Sequence, residues 1–293
     1  MGTAIEAEVW DDHRCELGEG PIWDPRSGEV LWVDIVGKQV HHRSMAAARA
    51  TVTLDSAVGA VAPCEGGGWI LALEKGVVRR LTDGTLREMA TFADADEEPA
   101  AVPVRANDAA CDPHGRFWVG TMAWDATPHV GSLYRLDPHL GTFDAVLTGV
   151  TISNGLGWSP GNDVMYYADT ATGGIDAFDF QAESGEVRAR RRFVEIPGEL
   201  GAPDGITVDV DGGLWVALWG GGAVHRYTPD GHLDKKISLP CSQVTSCAFV
   251  GDSLDGLVIT TARTGLERPE ASAGMTFLAD PGVSGLPVRP FAQ

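Results

Sequence analysis

Four side chains with oxygen to offer stand at matching places in this sequence. Glu19, Asn107, Asn154 and Asp204 each lie beside or near a glycine and just ahead of an apolar run, in "GEGPIW", "NDAAC", "NGLGW" and "DGITV". Carboxylate and amide oxygens are costly to bury without a partner, and a hard divalent cation satisfies several of them together. If the fold draws these residues to one place, cation binding is the chemistry open to them. N-G, D-G and E-G are also common turn dipeptides, so any one of them alone says little; recurrence in phase is what gives the set its weight. A second motif points elsewhere. Gly157–Trp158–Ser159–Pro160–Gly161 fits the G-x-S-x-G pattern of serine hydrolases. Pro160 has no N–H to help build an oxyanion hole, and turn residues then lead into "VMYYAD" where that motif would need a helix. Ser159 is therefore expected in a turn.

Other chemistry is poorly supported. The eight histidines (13, 41, 42, 114, 129, 139, 225, 232) form neither H-E-x-x-H nor a short H-x-H pair, which disfavours a histidine-rich zinc hydrolase. The His41–His42 pair follows a strand and is expected on the surface. "DVDGG" at 209–213 resembles the start of an EF-hand loop, but position twelve of such a loop would be Gly220, where a glutamate is needed. There is no G-x-x-x-x-G-K-[ST] phosphate loop.

The elements that must position the four residues come from a repeat. Residues 151–180 read as three strands, Gly155–Ser159, Val164–Ala168 and Ile175–Phe180, separated by Pro160–Asp163 and Thr172–Gly174. The same succession of apolar strand, Asp/Gly turn, aromatic strand, glycine and third strand recurs at 18–43, 59–84, 107–138, 203–231 and 245–280. Six units in 293 residues average about 49 each, and self-similarity at that period without amphipathic helices indicates an all-β, six-bladed β-propeller. The spacings agree: Asn107 to Asn154 is 47 and Asn154 to Asp204 is 50. The N-terminal "IEAEVW" (5–10) alternates apolar and polar residues, as a strand that completes the last blade and closes the ring would. The chain is expected to be one domain over 1–293, with its core at about 10–291. Two stacked β-sandwiches are the competing architecture, though nothing divides the chain into two compositional halves. In a propeller, the heads of the innermost strands ring the axis on one face, so the four oxygen-bearing residues would converge there.

Composition bounds the partners. Forty-one acidic against 22 basic residues give a formal charge of −19, which leaves no basic stripe for nucleic acid. No apolar run reaches the ~18 residues of a membrane span, and the N-terminus shows no secretory signal pattern. Five cysteines without a C-x-x-C pair fit reduced thiols. A cytoplasmic protein, monomeric or weakly self-associating, is the expectation.

"LGEGPIWD" (17–24), "RANDAACDPHGRFWVGTMA" (105–123), "ISNGLGWS" (152–159), "PDGITVDVDGGLWVALWGGGAV" (203–224) and "TSCAFVG" (245–251), taken as an ordered set, closely resemble the senescence-marker-protein, gluconolactonase and luciferin-regenerating-enzyme family, which includes regucalcin and bacterial sugar lactonases. The resemblance runs from about residue 10 to the end. It implies a six-bladed propeller that hydrolyses aldono-1,4- or 1,5-lactones with one divalent metal ion. Ca²⁺ is the first expectation, and Zn²⁺, Mn²⁺, Mg²⁺ or Fe²⁺ also suit an oxygen-rich donor set. Motif by motif, it implies Glu19, Asn154 and Asp204 as metal ligands, Arg105 and Asn107 as holders of substrate hydroxyl and carbonyl groups, and Asp204 also as the base that activates water. A cation polarising a carbonyl beside a carboxylate able to take a proton from water is coherent lactonase chemistry. For Arg105, a surface ion pair with the acidic run Asp94–Glu98 is the alternative. The sequence departs from the pattern at Trp124, where animal members carry an acidic residue. An indole there removes a hydroxyl contact at one edge of the pocket and leaves the sugar open. Two other functions fit the same scaffold: hydrolysis of phosphotriesters or non-sugar lactones, and metal or protein binding without turnover.

Overall fold

Short apolar strands joined by Asp/Gly turns account for almost all of the chain. The computed structural model describes residues 5–92 and 102–293. Strand β1 (Ala7–Asp11) comes first. Blade 1 follows as β2 (Gly18–Asp24), β3 (Glu29–Asp34), β4 (Gln39–Ser44) and β5 (Ala50–Thr53). Blade 2 is β6 (Val58–Pro63), β7 (Trp69–Leu73), β8 (Gly76–Arg80) and β9 (Leu86–Thr91). Blade 3 is β10 (Val104–Cys111), β11 (Phe117–Ala123), β12 (Gly131–Asp137) and β13 (Thr142–Val150). Blade 4 is β14 (Ser153–Trp158), β15 (Val164–Asp169), β16 (Gly174–Gln181) and β17 (Glu186–Glu195). Blade 5 is β18 (Ala202–Val208), β19 (Leu214–Trp219), β20 (Ala223–Tyr227) and β21 (Leu233–Ser238). Blade 6 is β22 (Val244–Val250), β23 (Gly256–Thr261) and β24 (Thr276–Ala279), with β1 paired antiparallel to β24 as its outer strand. The sequence-predicted six-bladed propeller and its closure by the N-terminal strand are both present. Among the described residues no helix is long and apolar enough to cross a membrane.

Blades 1 to 5 each have a fourth, outer strand that the three-strand reading lacks. Its residues face solvent, as in β17, where "EVRARRRFVE" is mostly exposed. The second strands are the opposite case. Runs such as "FWVGTMA" in β11 and "LWVALW" in β19 are buried almost throughout, because a neighbouring blade covers each face and continuous apolar character replaces alternation. Six apolar clusters result, one at each blade interface.

The innermost strand of every blade carries a register shift near its head, between Glu19 and Ile22, Val58 and Ala60, Ala106 and Ala109, Ser153 and Leu156, Pro203 and Ile206, and Val244 and Ser246. Such a bulge re-aims side chains, so the residues expected as turn dipeptides lie inside strands, at the place where each strand bends. Glycine after Asn154 is required by crowding: a Cβ on Gly155 would stand 2.6 Å from the Asp204 carbonyl oxygen.

His41, expected on the surface, is fully buried on β4 beside Trp32. The reason is that β4 still lies under the seam where the ring closes, whereas the next residue, His42, turns toward Glu29 at 3.2 Å. All five cysteines are buried and free.

Candidate active site at the channel mouth

The heads of β2, β10, β14 and β18 bring Glu19, Asn107, Asn154 and Asp204 together, all buried. Hydrogen bonds tie neighbouring heads. Asn107 donates through Nδ2 to the Ser153 carbonyl at 2.9 Å, and Arg105 donates through Nη1 to Asn107 Oδ1 at 2.6 Å. Asn154 Nδ2 donates to Thr170 Oγ1 at 2.8 Å, which in turn donates to the Pro203 carbonyl at 2.8 Å. That chain points the Asn154 amide nitrogen away from the axis and leaves its oxygen facing in. Asn154 Oδ1 and Asp204 Oδ1 are both buried without a hydrogen-bond partner. Arg105 is buried as well, with its Nε–H unpartnered, so its fork is turned into the site. The acidic stretch Asp94–Glu98 lies outside the described residues.

Electrostatics follow from crowding acids in a dry place. Burial, then the Asp108 carboxylate, pushes Glu19 up to about 8. Burial, followed by the charges of Glu19 and Asp108, holds Asp204 well above the usual carboxylate range. Burial lowers Arg105 to about 10, with Glu19 and Asp204 opposing, so it stays cationic at neutral pH. One cation opposite clustered carboxyl groups does not pair them all, and Glu19 and Asp204 keep their protons at neutral pH until a further cation takes their place. Orphaned carboxylate and amide oxygens are the donor set of a hard divalent cation, and Glu19, Asn154 and Asp204 could hold one.

Three further residues escape the sequence reading. Asp108, pushed up to about 6 by burial, stands in blade 3 where blades 1, 4 and 5 have Gly20, Gly155 and Gly205. It faces the channel behind the site, where a cavity of ≈ 180 Å³ is lined in part by the C-terminal stretch Leu286–Arg289. Thr170 orients Asn154. Glu74 accepts a hydrogen bond from the Trp124 indole nitrogen at 3.2 Å, while the indole ring lies 5.2 Å from the Arg105 guanidinium carbon. Trp124, 43% exposed, thus walls one side of the mouth. The out-of-phase acid in "ND" where the other heads read "NG" and "DG" is the signal that could have exposed Asp108.

Ser159 is in a blade turn, as its sequence context predicts. Its hydroxyl donates to Asp163 Oδ1 at 2.7 Å and accepts from the backbone N–H groups of Asp163 and Val164 at 3.2 and 3.1 Å. Among the described residues no histidine hydrogen-bonds to that hydroxyl.

Comparison with known proteins agrees with the fold. The model of the SMP-30/Gluconolactonase/LRE-like region matches residues 17–263. A pentonolactonase, XacC, of Haloferax volcanii is 37% identical over 285 residues, covering 94% of each chain. Regucalcin of Danio rerio is 34% identical over 297 residues, covering 97% of this chain and 98% of that one. Among solved structures, a calcium-binding protein, regucalcin, from Agrobacterium tumefaciens superposes with a TM-score of 0.92 at 27% identity over the full length of both chains.

Proposed function

The chain belongs to the SMP-30/gluconolactonase/LRE-like family, and from that premise we propose that it hydrolyses a sugar lactone to the open aldonic acid at the channel mouth, with one divalent metal held by Glu19, Asn154 and Asp204. The observation that carries this reading is the pair of buried, unpartnered oxygens on adjacent innermost strands, Asn154 Oδ1 and Asp204 Oδ1. A cation bound there would supply Lewis acidity toward the lactone carbonyl. Calcium is the first choice, by the oxygen donors and by the regucalcin relatives.

The protein's own groups do the rest. Asp204 takes a proton from water as the water oxygen adds to the carbonyl carbon. Its burial makes it a stronger proton acceptor, once ionised, than an exposed aspartate. When the bond between the carbonyl carbon and the ring oxygen breaks, the same proton passes to the departing ring oxygen, giving acid and alcohol in one molecule. Arg105, held by Asn107, presents its unpartnered Nε–H to substrate oxygens in a planar fork. Asn107 adds the one amide N–H that Ser153 does not occupy. Trp124 offers a flat apolar wall beside Arg105, which favours a lactone with few groups projecting on that edge. The resemblance to a pentonolactonase makes five-carbon lactones the first substrates to offer.

The test is proton release in weak buffer with a panel of aldono-1,4- and 1,5-lactones, on protein stripped by chelator and restored with single metals. Turnover that disappears on stripping and returns with one metal supports the reading. Metal binding without turnover of any sugar lactone removes it in favour of another hydrolase or a binding propeller.

A further inference from the structure

The seam between blades 6 and 1 is built differently from the other five. Its apolar cluster holds six buried side chains, Cys15, Trp23, Val30, Trp32, Val250 and Val258, against nine to fourteen at the other interfaces. Ion pairs supplement it, with Arg43 and Arg49 both on Asp11 at 3.0 and 2.7 Å. The loop between β1 and β2 is strapped to blade 6 by Cys15 N–H to the Gly274 carbonyl at 2.9 Å and by Arg14 to the carbonyls of Ala273 and Glu270, each at 3.0 Å. Within this seam, ligand atoms of His13, Cys15 and His41 lie within 4.8 Å of one another, the one such cluster of three found among the described residues.

Three features say that the cluster has a use other than packing. Cys15 and His41 are buried, at 1% and 0% exposure. His41 Nδ1 is held by Thr51 Oγ1 at 2.9 Å, while Nε2 is buried with no partner at all, an arrangement that costs free energy unless something fills it. The fixed Nδ1 is how a metal-ligating histidine is oriented, with the other nitrogen left to bind. The rings of His13 and His41 meet edge to face at 4.8 Å, and burial lowers both histidines below their ordinary range, so both are neutral at physiological pH.

We propose that His13, Cys15 and His41 bind a thiophilic divalent cation of the zinc class, and that this ion clamps the ring at its closure. One thiolate and two imidazoles are soft and borderline donors, unlike the all-oxygen set at the channel mouth, and they select zinc over calcium or magnesium. Tetrahedral zinc needs ligand separations of roughly 3.3–3.7 Å, given Zn–N and Zn–S bonds of about 2.0–2.3 Å. His13, half-buried on the loop ahead of β2, can supply the closing movement of about 1 Å. The Cys15 proton leaves to solvent past His13, and the fourth position on that side takes water. The clamp would join the loop that is strapped to blade 6 to strand β4 of blade 1, where apolar packing is thinnest.

Cobalt(II) is the probe, added to chelator-stripped full-length protein. The expected result is an intense thiolate-to-cobalt charge-transfer band in the near ultraviolet that saturates at one equivalent of thiolate-bound cobalt, beside any cobalt held by the oxygen ligands at the channel mouth. Cys15→Ser should abolish the band, Cys247→Ser and Asp204→Asn should keep it, and His13→Asn should weaken binding at least tenfold. The half-exposed His13 makes that variant informative even if Cys15→Ser folds poorly. Absence of the band in the wild type, its survival in Cys15→Ser, unchanged affinity in His13→Asn, or its loss in Asp204→Asn would each overturn the proposal.

Discussion

Asp204 and Asp209 sit five residues apart at the two ends of one innermost strand, both almost wholly buried, and the protein treats them in opposite ways. Asp209 accepts hydrogen bonds from the backbone N–H groups of Asp211 and Gly213 at 3.0 and 2.8 Å, and from Trp215 Nε1 and Arg226 Nε at 2.9 and 2.6 Å. Asp204 has an oxygen with no partner. Blade 3 repeats the contrast: Asn107 is at the mouth, and five residues on, Asp112 is saturated by His114, Arg116 and Trp118. Glu19 and Asp24, and Asn154 and Ser159, keep the same spacing. Five residues of strand span about 15 Å, enough to put one residue of each pair on each face of the ring. Burial of an acid thus does not mark function in this fold. What marks it is burial with donors withheld, and only one face withholds them.

The sharpest way to break that contrast is to neutralise each aspartate with its isostere. Asp204→Asn should lower turnover by on the order of 10³-fold or more, because it removes the base and a metal ligand together. In chelator its unfolding temperature should match or exceed that of the parent, since a buried carboxyl with one oxygen unpartnered has been removed. Thermal unfolding beside the proton-release assay reads both, and an active mutant would take Asp204 out of the chemistry. A mutant that unfolds would make Asp204 structural and erase the distinction from Asp209.

Asp209→Asn should do the reverse. The amide nitrogen would face two donors, Trp215 Nε1 and Arg226 Nε, and leave the guanidinium half-paired in the blade. Breaking a buried ion pair costs about 3–5 kcal/mol, or a fall in unfolding temperature of roughly 10 °C at 2–4 °C per kcal/mol. Turnover per folded molecule should stay at the parent value. Lost turnover in the correctly folded fraction would mean that the far face also takes part in catalysis.

A change of pH tests the same difference without mutation. Glu19 is raised to about 8, chiefly by burial, and Asp204 is raised as well. Between the ordinary carboxylate range and these values the folded state holds protons that the unfolded chain has lost. Stability from these groups is therefore fully present below about pH 4.5 and drains away as pH rises through about 8. Metal-free protein should lose several degrees of unfolding temperature between pH 5 and pH 8, and saturating divalent metal should flatten the decline by pairing the carboxylates. A flat profile in chelator would mean that these oxygens are not short of partners.

The repeat was legible because each blade rewrites the same turn chemistry, and the mouth was legible because its heads recur in phase. What escaped did so for physical reasons. Outer strands such as β17 carry charge on both faces and hold the strand beside them through backbone groups and ion pairs, as Arg190 and Arg192 do with Asp176, so period and hydrophobicity say nothing of them. Asp108 breaks the repeat, and a reading based on recurrence passes over it. His41 and His42 are adjacent on a strand and face opposite ways, and only the closed ring decides which one is covered. His13-x-Cys15 is a two-ligand spacing, but its third member, His41, arrives from another strand 26 residues after Cys15.

The smallest expected effect belongs to Ser159, the residue of blade 4 that stands where Asp24, Asp112 and Asp209 stand in theirs. Its hydroxyl is spent on three hydrogen bonds within one turn, and its neighbour Pro160 has no N–H to offer an oxyanion. Ser159→Ala should change kcat by less than twofold and cost about 1 kcal/mol, the net worth of such bonds in a partly buried turn. Denaturant unfolding and lactone turnover on one preparation read both numbers. A large loss of turnover with stability intact would give the G-x-S-x-G pattern the chemical meaning that its hydrogen bonds deny it, and would place reactivity on the face where Asp24, Asp112 and Asp209 now have their donors.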